Sequence, residues 1–307
     1  SGLRPDNSRR AAKYLRHGAA VSRITGRTKV CGIIGDPVEH SMSPAMQNAA
    51  FQELGLDYVY LPFRVGRDDL EKAIEGVRAL GIVGLNVTIP HKVAVIPFLD
   101  KLDPLAEEIG AVNTIVNSGG SLAGYNTDAT GFLQALIERG IEPEGKKVVV
   151  LGAGGASRGI CFILAQNGAR LTLLNRTLER AQELARRVAG ETGREVKALA
   201  LNEANVTEAL RTADILVNTT SAGMSPRADE TPVPAKLLKK DLAVFDIVYN
   251  PVQTRLLREA EAAGARTING VDMLVWQGVE AFSLWTGRDA PVEIMKREAM
   301  RALRRED

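Results

Sequence analysis

The stretch VVVLGAGGASRG, Val148 to Gly159, decides how the rest of the chain is organised. An apolar run leads into a tight glycine turn, and an apolar helical pattern follows from Ile160 to Gln166. That strand–turn–helix context is what a glycine loop needs before it reads as a phosphate cradle. Gly152 permits the turn, and Gly154 removes a side chain where the backbone would approach a pyrophosphate. Ala153 lies between them, Gly155 and Ala156 keep the next positions small, and Gly159 adds another small residue. The helix amino end beyond them stabilises negative charge. A merely structural turn is the competing reading.

The next strand indicates which dinucleotide. An NAD site calls for an acidic residue at its end, about 20 residues on, to accept from the ribose hydroxyls. Here the segment reads LTLLNRTLER, with Asn175 standing 23 residues after Gly152 and Arg176 and Arg180 close by. A guanidinium clamps a 2′-phosphate bidentately, and no carboxylate at the Asn175 position repels it. NADP is therefore expected over NAD. As two solvated arginines at a helix start, they would oppose the helix dipole instead.

Further strands are expected at Lys147–Leu151, Leu171–Leu174, Val196–Leu201, Ile215–Asn218, Ala243–Ile247 and Thr267–Ile268, separated mostly by helical patterns. That rhythm predicts a doubly wound parallel sheet with helices on both faces. Upstream, strands are expected at Lys29–Ile34, Tyr58–Val65 and Ile82–Thr88, with a short hairpin over Ala111–Val116 and Ser121–Gly124. A helix capped by Ser43 with Pro44 at its first position should close at Gly55. Another over Asp68–Leu80 presents Leu70, Ile74, Val77 and Leu80 on one face. Pro90 should start a third, ending near Leu99. Thr127–Arg139, Val271–Trp285 and a segment from Pro291 complete the helices. The expected fold is a two-domain α/β protein. It divides into a basic extension over 1–28, an α/β unit over 29–126, a Rossmann-like unit over 127–269 and helices over 270–307 that return to the first unit.

With 307 residues, two domains are favoured over one. Apolar residues at 45% and charged residues at 25% exclude a largely disordered chain. No apolar run is long enough to span a membrane. Residues 1–27 carry a net charge of +6 and the remainder −4. The arm holds Arg9, Arg10, Lys13 and Arg16 but only Tyr14 as an interleaved aromatic, so a solvated extension with one short helix over Ser8–Arg16 is preferred to a nucleic-acid contact. Ser1-Gly2 reads as the remnant of tag cleavage. Cys31 and Cys161 lie in apolar runs, which predicts buried thiols in a reducing, cytoplasmic compartment. Scattered histidines and cysteines leave little material for a metal site.

An oxidoreductase of this kind needs a polar pocket opposite the nicotinamide. The first unit offers Ser41, Ser43, Asn86, Thr88, Lys92, Asn113 and Asp128 at strand ends and turns. Lys92 and Asp128 can form an ion pair in which each tunes the other, and a partly desolvated Lys serves as general acid and base. Asp128 can equally cap the helix that begins there. His40 and His91 are the other proton carriers at this stage.

These residues resemble the shikimate dehydrogenase family. IIGDPVEHSMSPAMQNAAF (Ile33–Phe51), NVTIPHK (Asn86–Lys92), AVNT (Ala111–Thr114) and GYNTDATGF (Gly124–Phe132) look like its substrate-side signatures. GAGGASRG, NRT, NTTSAGM, DIVYNPVQT and GVDMLVWQGVEAF follow in the family's order. The resemblance runs from Lys29 to about Arg288 and leaves out the basic arm.

The resemblance implies that Ser41, Ser43, Asn86, Thr88, Asn113, Asp128, Tyr249 and Gln277 surround shikimate, with Lys92 and Asp128 as the catalytic pair. Asn175, Arg176 and Arg180 would hold the 2′-phosphate of NADP. Thr219, Gly270 and Met273 would line the adenine–nicotinamide cleft. The implied reaction is reversible reduction of 3-dehydroshikimate by NADPH, carried out by a monomer or homodimer. It demotes His40 and His91 to motif neighbours. An NAD-dependent quinate/shikimate dehydrogenase is disfavoured because no acid stands near Asn175. A methylene-tetrahydrofolate dehydrogenase type is disfavoured by the paired serines and DIVYNP. A binding protein without turnover is disfavoured by the presence of both Lys92 and Asp128.

Overall fold

The computed structural model describes residues 24–306. The helix expected over Ser8–Arg16 lies outside the described residues. The first sheet runs β2-β1-β3-β5-β6-β4. Its strands are β1 (Lys29–Gly35), β2 (Tyr58–Arg64), β3 (Gly84–Val87), β4 (Lys101–Leu102), β5 (Thr114–Ser118) and β6 (Ser121–Tyr125). β1 pairs parallel with both β2 and β3, and its run of buried residues is that of a strand covered on both faces. β5 and β6 form the hairpin, turned by Gly119 and Gly120 at φ 63° and 95°.

Helices α1 (Ser43–Glu53), α2 (Leu70–Ala79) and α3 (Pro104–Ile109) accompany this sheet. Three expectations need correction. The residue before α1 is Met42 and no side chain caps it, so Ser43 is already helical and is buried rather than serving as the cap. α2 stops at Ala79, so Leu80 leaves the apolar face and is 78% exposed. No α-helix runs from Pro90 to Leu99, where only a 3₁₀ turn forms at Ile96–Phe98. Pro97 explains the last, because it lacks an N–H and its ring would collide with the preceding helical turn. The short α3, capped by Asp103, and β4 are not evident in the sequence pattern.

The second sheet is wholly parallel in the order β12-β11-β10-β7-β8-β9. Its strands are β7 (Lys147–Leu151), β8 (Arg170–Asn175), β9 (Val196–Ala200), β10 (Ile215–Asn218), β11 (Ala243–Asp246) and β12 (Arg266–Ile268). Alternation along β7 sorts its faces. Val148 and Val150 pack with α4 (Thr127–Glu138), α5 (Gly155–Gln166) and α6 (Leu178–Thr192). Val149 and Leu151 pack with α7 (Glu203–Arg211) and α8 (Arg255–Ala262). Phe132 of α4 stacks on Phe245 of β11 with centroids 4.6 Å apart, fixing the connecting helix to the second sheet.

Helices α9 (Gly270–Thr286) and α10 (Val292–Glu306) then go back to the first sheet. Val271, Val275, Phe282, Trp285, Met295 and Ala299 join one cluster with Cys31, Ile33, Met46 and Phe51. Each large apolar side chain so buried contributes about 1.5–3 kcal/mol. The Trp285 indole donates to Ile115 O at 3.0 Å and lies so close over β3 that a Cβ at Gly84 would stand 2.2 Å from its Nε1. Met273, at the other end of α9, packs with the second sheet instead. One helix therefore spans both units. No helix among the described residues is long and apolar enough to cross a membrane.

Candidate active site

Between the two sheets lies a cavity of about 190 Å³, below the roughly 300–1,000 Å³ common for drug-sized ligands. All eight residues expected to surround the substrate line it: Ser41, Ser43, Asn86, Thr88, Asn113, Asp128, Tyr249 and Gln277. Lys92 joins them, as do Ala156 of the glycine turn and Gly270 and Met273 at the start of α9.

Each polar side chain is held by its element. Asn86 sits near the end of β3, where Tyr60 Oη donates to its Oδ1 at 2.6 Å and its own Nδ2 donates to Thr114 Oγ1 at 3.0 Å. Asn113 precedes β5, and its Oδ1 accepts from Thr127 N at 2.7 Å while its Nδ2 donates to Thr127 Oγ1 at 3.0 Å. These partners are buried, so both amides are fixed in one orientation before any ligand arrives. Burial pushes the Tyr60 hydroxyl well above its ordinary pKa, which keeps it a donor. Sequence reading gave no role to Tyr60, nor to Thr114 and Thr127, although the last two lie within the AVNT and GYNTDATGF signatures.

Lys92 and Asp128 meet here. Lys92 Nζ donates to Asp128 Oδ2 at 2.5 Å, with side chains 24% and 17% exposed. Asp128 is the second residue of α4, and Asn126 is the cap, accepting from Ala129 N at 3.1 Å. Asp128 is thus not consumed as a cap and is left for the pair. His91 is fully buried with Nε2 2.7 Å from Val65 O, and His40 is exposed. Neither lines the cavity.

The glycine turn opens onto a neighbouring groove of about 320 Å³. Gly152, Ala153, Gly154, Asn175, Arg176, Arg180 and Thr219 line it, together with Thr220, Ser221, Arg227 and Glu230, which the sequence did not single out. Gly155 lies on an adjoining groove with Arg158, Arg180 and Arg187. Gly152 takes φ +105°, and a Cβ there would stand 2.7 Å from Thr219 Oγ1, so turn and strand end can touch only through glycine. A Cβ at Gly154 would meet nothing within 4 Å, which leaves the backbone open to a phosphate. Asn175 spends Oδ1 on Ala153 N at 3.1 Å and Nδ2 on Thr177 O at 2.8 Å. It shapes the glycine turn, while the exposed Arg176 and Arg180 line the same groove together with Arg227. The residues present fit an NADP-type dinucleotide.

A glycine turn at the end of a parallel strand, opening toward a polar cavity with a Lys–Asp pair, defines a dinucleotide-dependent oxidoreductase. Comparison with known proteins narrows the class. Models of the shikimate dehydrogenase substrate-binding domain, of shikimate/quinate 5-dehydrogenase and of the shikimate 5′-dehydrogenase C-terminal domain match residues 33–115, 135–255 and 270–300. The NADP(+) shikimate dehydrogenase of Methanopyrus kandleri is 52% identical over 284 residues, covering 92% of this chain and 98% of that one. A crystal structure of a shikimate dehydrogenase with NADP+ aligns with TM-score 0.88 at 44% identity, over 92% of this chain and 99% of that one. The Thermus thermophilus shikimate 5-dehydrogenase with NADP(H) and shikimate aligns with TM-score 0.80 at 40% identity, over 89% and 99%. The chain belongs to the shikimate dehydrogenase family.

Proposed function

We propose that the chain carries out the reversible NADPH-dependent reduction of 3-dehydroshikimate to shikimate, with Lys92 and Asp128 moving the proton. The single observation that carries the residue assignment is the 2.5 Å Lys92–Asp128 contact inside a cavity otherwise lined by neutral polar and apolar groups.

NADPH held along the Gly152–Gly154 turn would supply the hydride that the carbonyl carbon receives. The carbonyl oxygen must then gain one proton, and the Lys92–Asp128 pair is the proton source at the cavity wall. In the reverse direction the same pair takes the hydroxyl proton. The 2.5 Å contact lets Asp128 hold the ammonium in place. The substrate carboxylate and ring hydroxyls meet a cavity whose two charged side chains are already paired, so hydroxyl and amide groups would surround them: Ser41, Ser43, Asn86, Thr88, Asn113, Tyr249 and Gln277. Donors fixed beforehand by buried partners reject a molecule lacking the matching group, because the site's own polar atoms would be stranded.

Arg176 and Arg180 favour the 2′-phosphate of NADP, and Thr219 lines the same groove. The working division is a substrate unit over 29–126 and a cofactor unit over 127–269, with 270–307 packed back on the former. The protein works as a monomer or homodimer on small molecules in the cytoplasm, without nucleic acid. The two buried, free thiols, both pushed up to about 12 by burial, accord with a reducing compartment. The direct test is loss of NADPH absorbance with 3-dehydroshikimate, NADH being run in parallel. Turnover with NADPH well above that with NADH supports the reading, and no turnover with either overturns it.

A further inference from the structure

Two loops meet the ligands from the second sheet. The loop after β10 supplies Thr219, Thr220 and Ser221 to the cofactor groove, and the one after β11 supplies Ile247 and Tyr249 to the substrate cavity. Behind them, at adjacent positions of paired strands, lie Asn218 and Asp246, both fully buried and lining neither space.

Their side chains hold both loops. Asn218 Oδ1 accepts from Thr220 N at 3.0 Å and from Thr220 Oγ1 at 2.7 Å. Thr220 Oγ1 in turn accepts from Ala222 N at 3.2 Å. Asp246 Oδ1 accepts from Val248 N at 3.1 Å, and its Oδ2 accepts from Thr254 Oγ1 at 2.7 Å. The two halves are joined by Asn218 Nδ2, which donates to Asp246 Oδ1 at 2.9 Å. Farther out the loops touch again, where Ser225 N donates to Asn250 O at 3.0 Å.

We propose that Asn218 and Asp246 are positioning residues that form one shared anchor, so that the cofactor loop and the substrate loop are placed together rather than separately. A buried carboxylate is costly unless hydrogen-bonded, and here its bonds come from Val248 N and Thr254 Oγ1 on its own side and from the Asn218 side chain at the end of β10. Simple fold support would need no bridge between the halves. The bridge makes any displacement of the Thr220 loop felt at Val248 and Tyr249.

This inference rests on the proposed reaction, so the wild-type assay with NADPH and 3-dehydroshikimate is run first. The deciding variant is Asn218→Ala in the full chain, because Asn218 touches neither ligand space. Dissociation constants for NADPH and for shikimate are measured by separate titrations, together with kcat and thermal midpoint. Both constants should rise at least fivefold, with saturated kcat changed less than threefold. Asp246→Asn keeps an acceptor at Oδ1 and should stay within about twofold of wild type at both sites. Should Asn218→Ala fail to fold, Asn218→Ser is a smaller change that still removes the Nδ2 donor to Asp246, and it should show the same two-sided rise, smaller in size. A rise confined to NADPH would mean independent loops and overturn the shared anchor. A lowered midpoint with both constants unchanged would reduce the pair to fold support and also overturn it. An inactive wild type would strike at the reaction itself, not at the anchor.

Discussion

Lys92 Nζ and Asp128 Oδ2 lie 2.5 Å apart although they come from a loop after β3 and from the second residue of α4. Two hydrogen bonds keep that distance: Val112 N donates to Lys92 O at 2.7 Å, and the Asn126 side-chain Nδ2 donates to Ala111 O at 3.0 Å. Both ends of the pair are thereby referred to the same short segment. General acid–base catalysis contributes about 10²- to 10⁴-fold. Lys92→Ala should lose turnover by that factor while substrate affinity changes modestly. Asp128→Asn should be impaired as well, and the double variant should lose less than the two single losses combined. A folded Lys92→Ala enzyme keeping kcat within about threefold of wild type would refute the assignment.

Arg176 should carry most of the cofactor preference. Losing a charge-assisted hydrogen bond costs about 1.5–3 kcal/mol, or roughly 10- to 150-fold in affinity. Arg176→Ala should weaken NADPH by that factor and leave NADH nearly unchanged, with Arg180→Ala doing less. Titration with both cofactors decides it. Equal weakening of both would place Arg176 on a part of the cofactor that the two molecules share.

Gly131 marks a close approach of α4 to α9. A Cβ there would stand 2.6 Å from Gln277 N and 3.0 Å from Gln277 Cα, backbone that cannot swing aside. Gly131→Ala should force the helices apart at a cost of about 1–3 kcal/mol. Because Gln277 lines the cavity, KM for the substrate should rise as well. Denaturant titration with steady-state kinetics checks both, and unchanged stability would contradict the contact.

Asp246 should make stability depend on pH in the direction opposite to an ordinary ion-paired carboxylate. Burial raises it from 3.8 to about 6, against hydrogen bonds from Thr254, Val248 and Asn218 that favour the anion. The folded chain keeps this proton over a range where the unfolded chain has lost it. Its contribution is therefore full below about pH 4 and is lost as pH rises through about 6. At neutral pH the ionised group costs on the order of 3 kcal/mol. The unfolding free energy of Asp246→Asn relative to wild type should climb between about pH 4 and 7 and level off above. A difference that is flat with pH would rule this out.

Features carried by contiguous residues were legible in the sequence. The strand, turn and helix from Val148 to Gln166 are one such run, and the parallel strands of the second sheet keep their expected positions to within a residue or so. The helix expected from Pro90 does not form, because Pro97 outweighs the apolar spacing around it. Ser43 is no cap because Met42 precedes it in helical geometry, φ −78° and ψ −13°. The bonds of Tyr60, Thr114 and Thr127 to Asn86 and Asn113 were not legible, since they join residues remote in sequence.

The architecture was readable along the chain because periodicity and glycine placement act over a few neighbouring residues, and the physics of strands, turns and helix ends is local. The sequence also supplied every side chain of the cavity as a residue type. Folding brings Ser43, Asn86, Lys92, Asn113, Asp128, Tyr249 and Gln277 to face one space of about 190 Å³. That convergence depends on the way α9 spans both sheets and on buried partners that orient each amide. Packing and desolvation of that kind are properties of the assembled core, where groups far apart in the chain set one another's direction and charge.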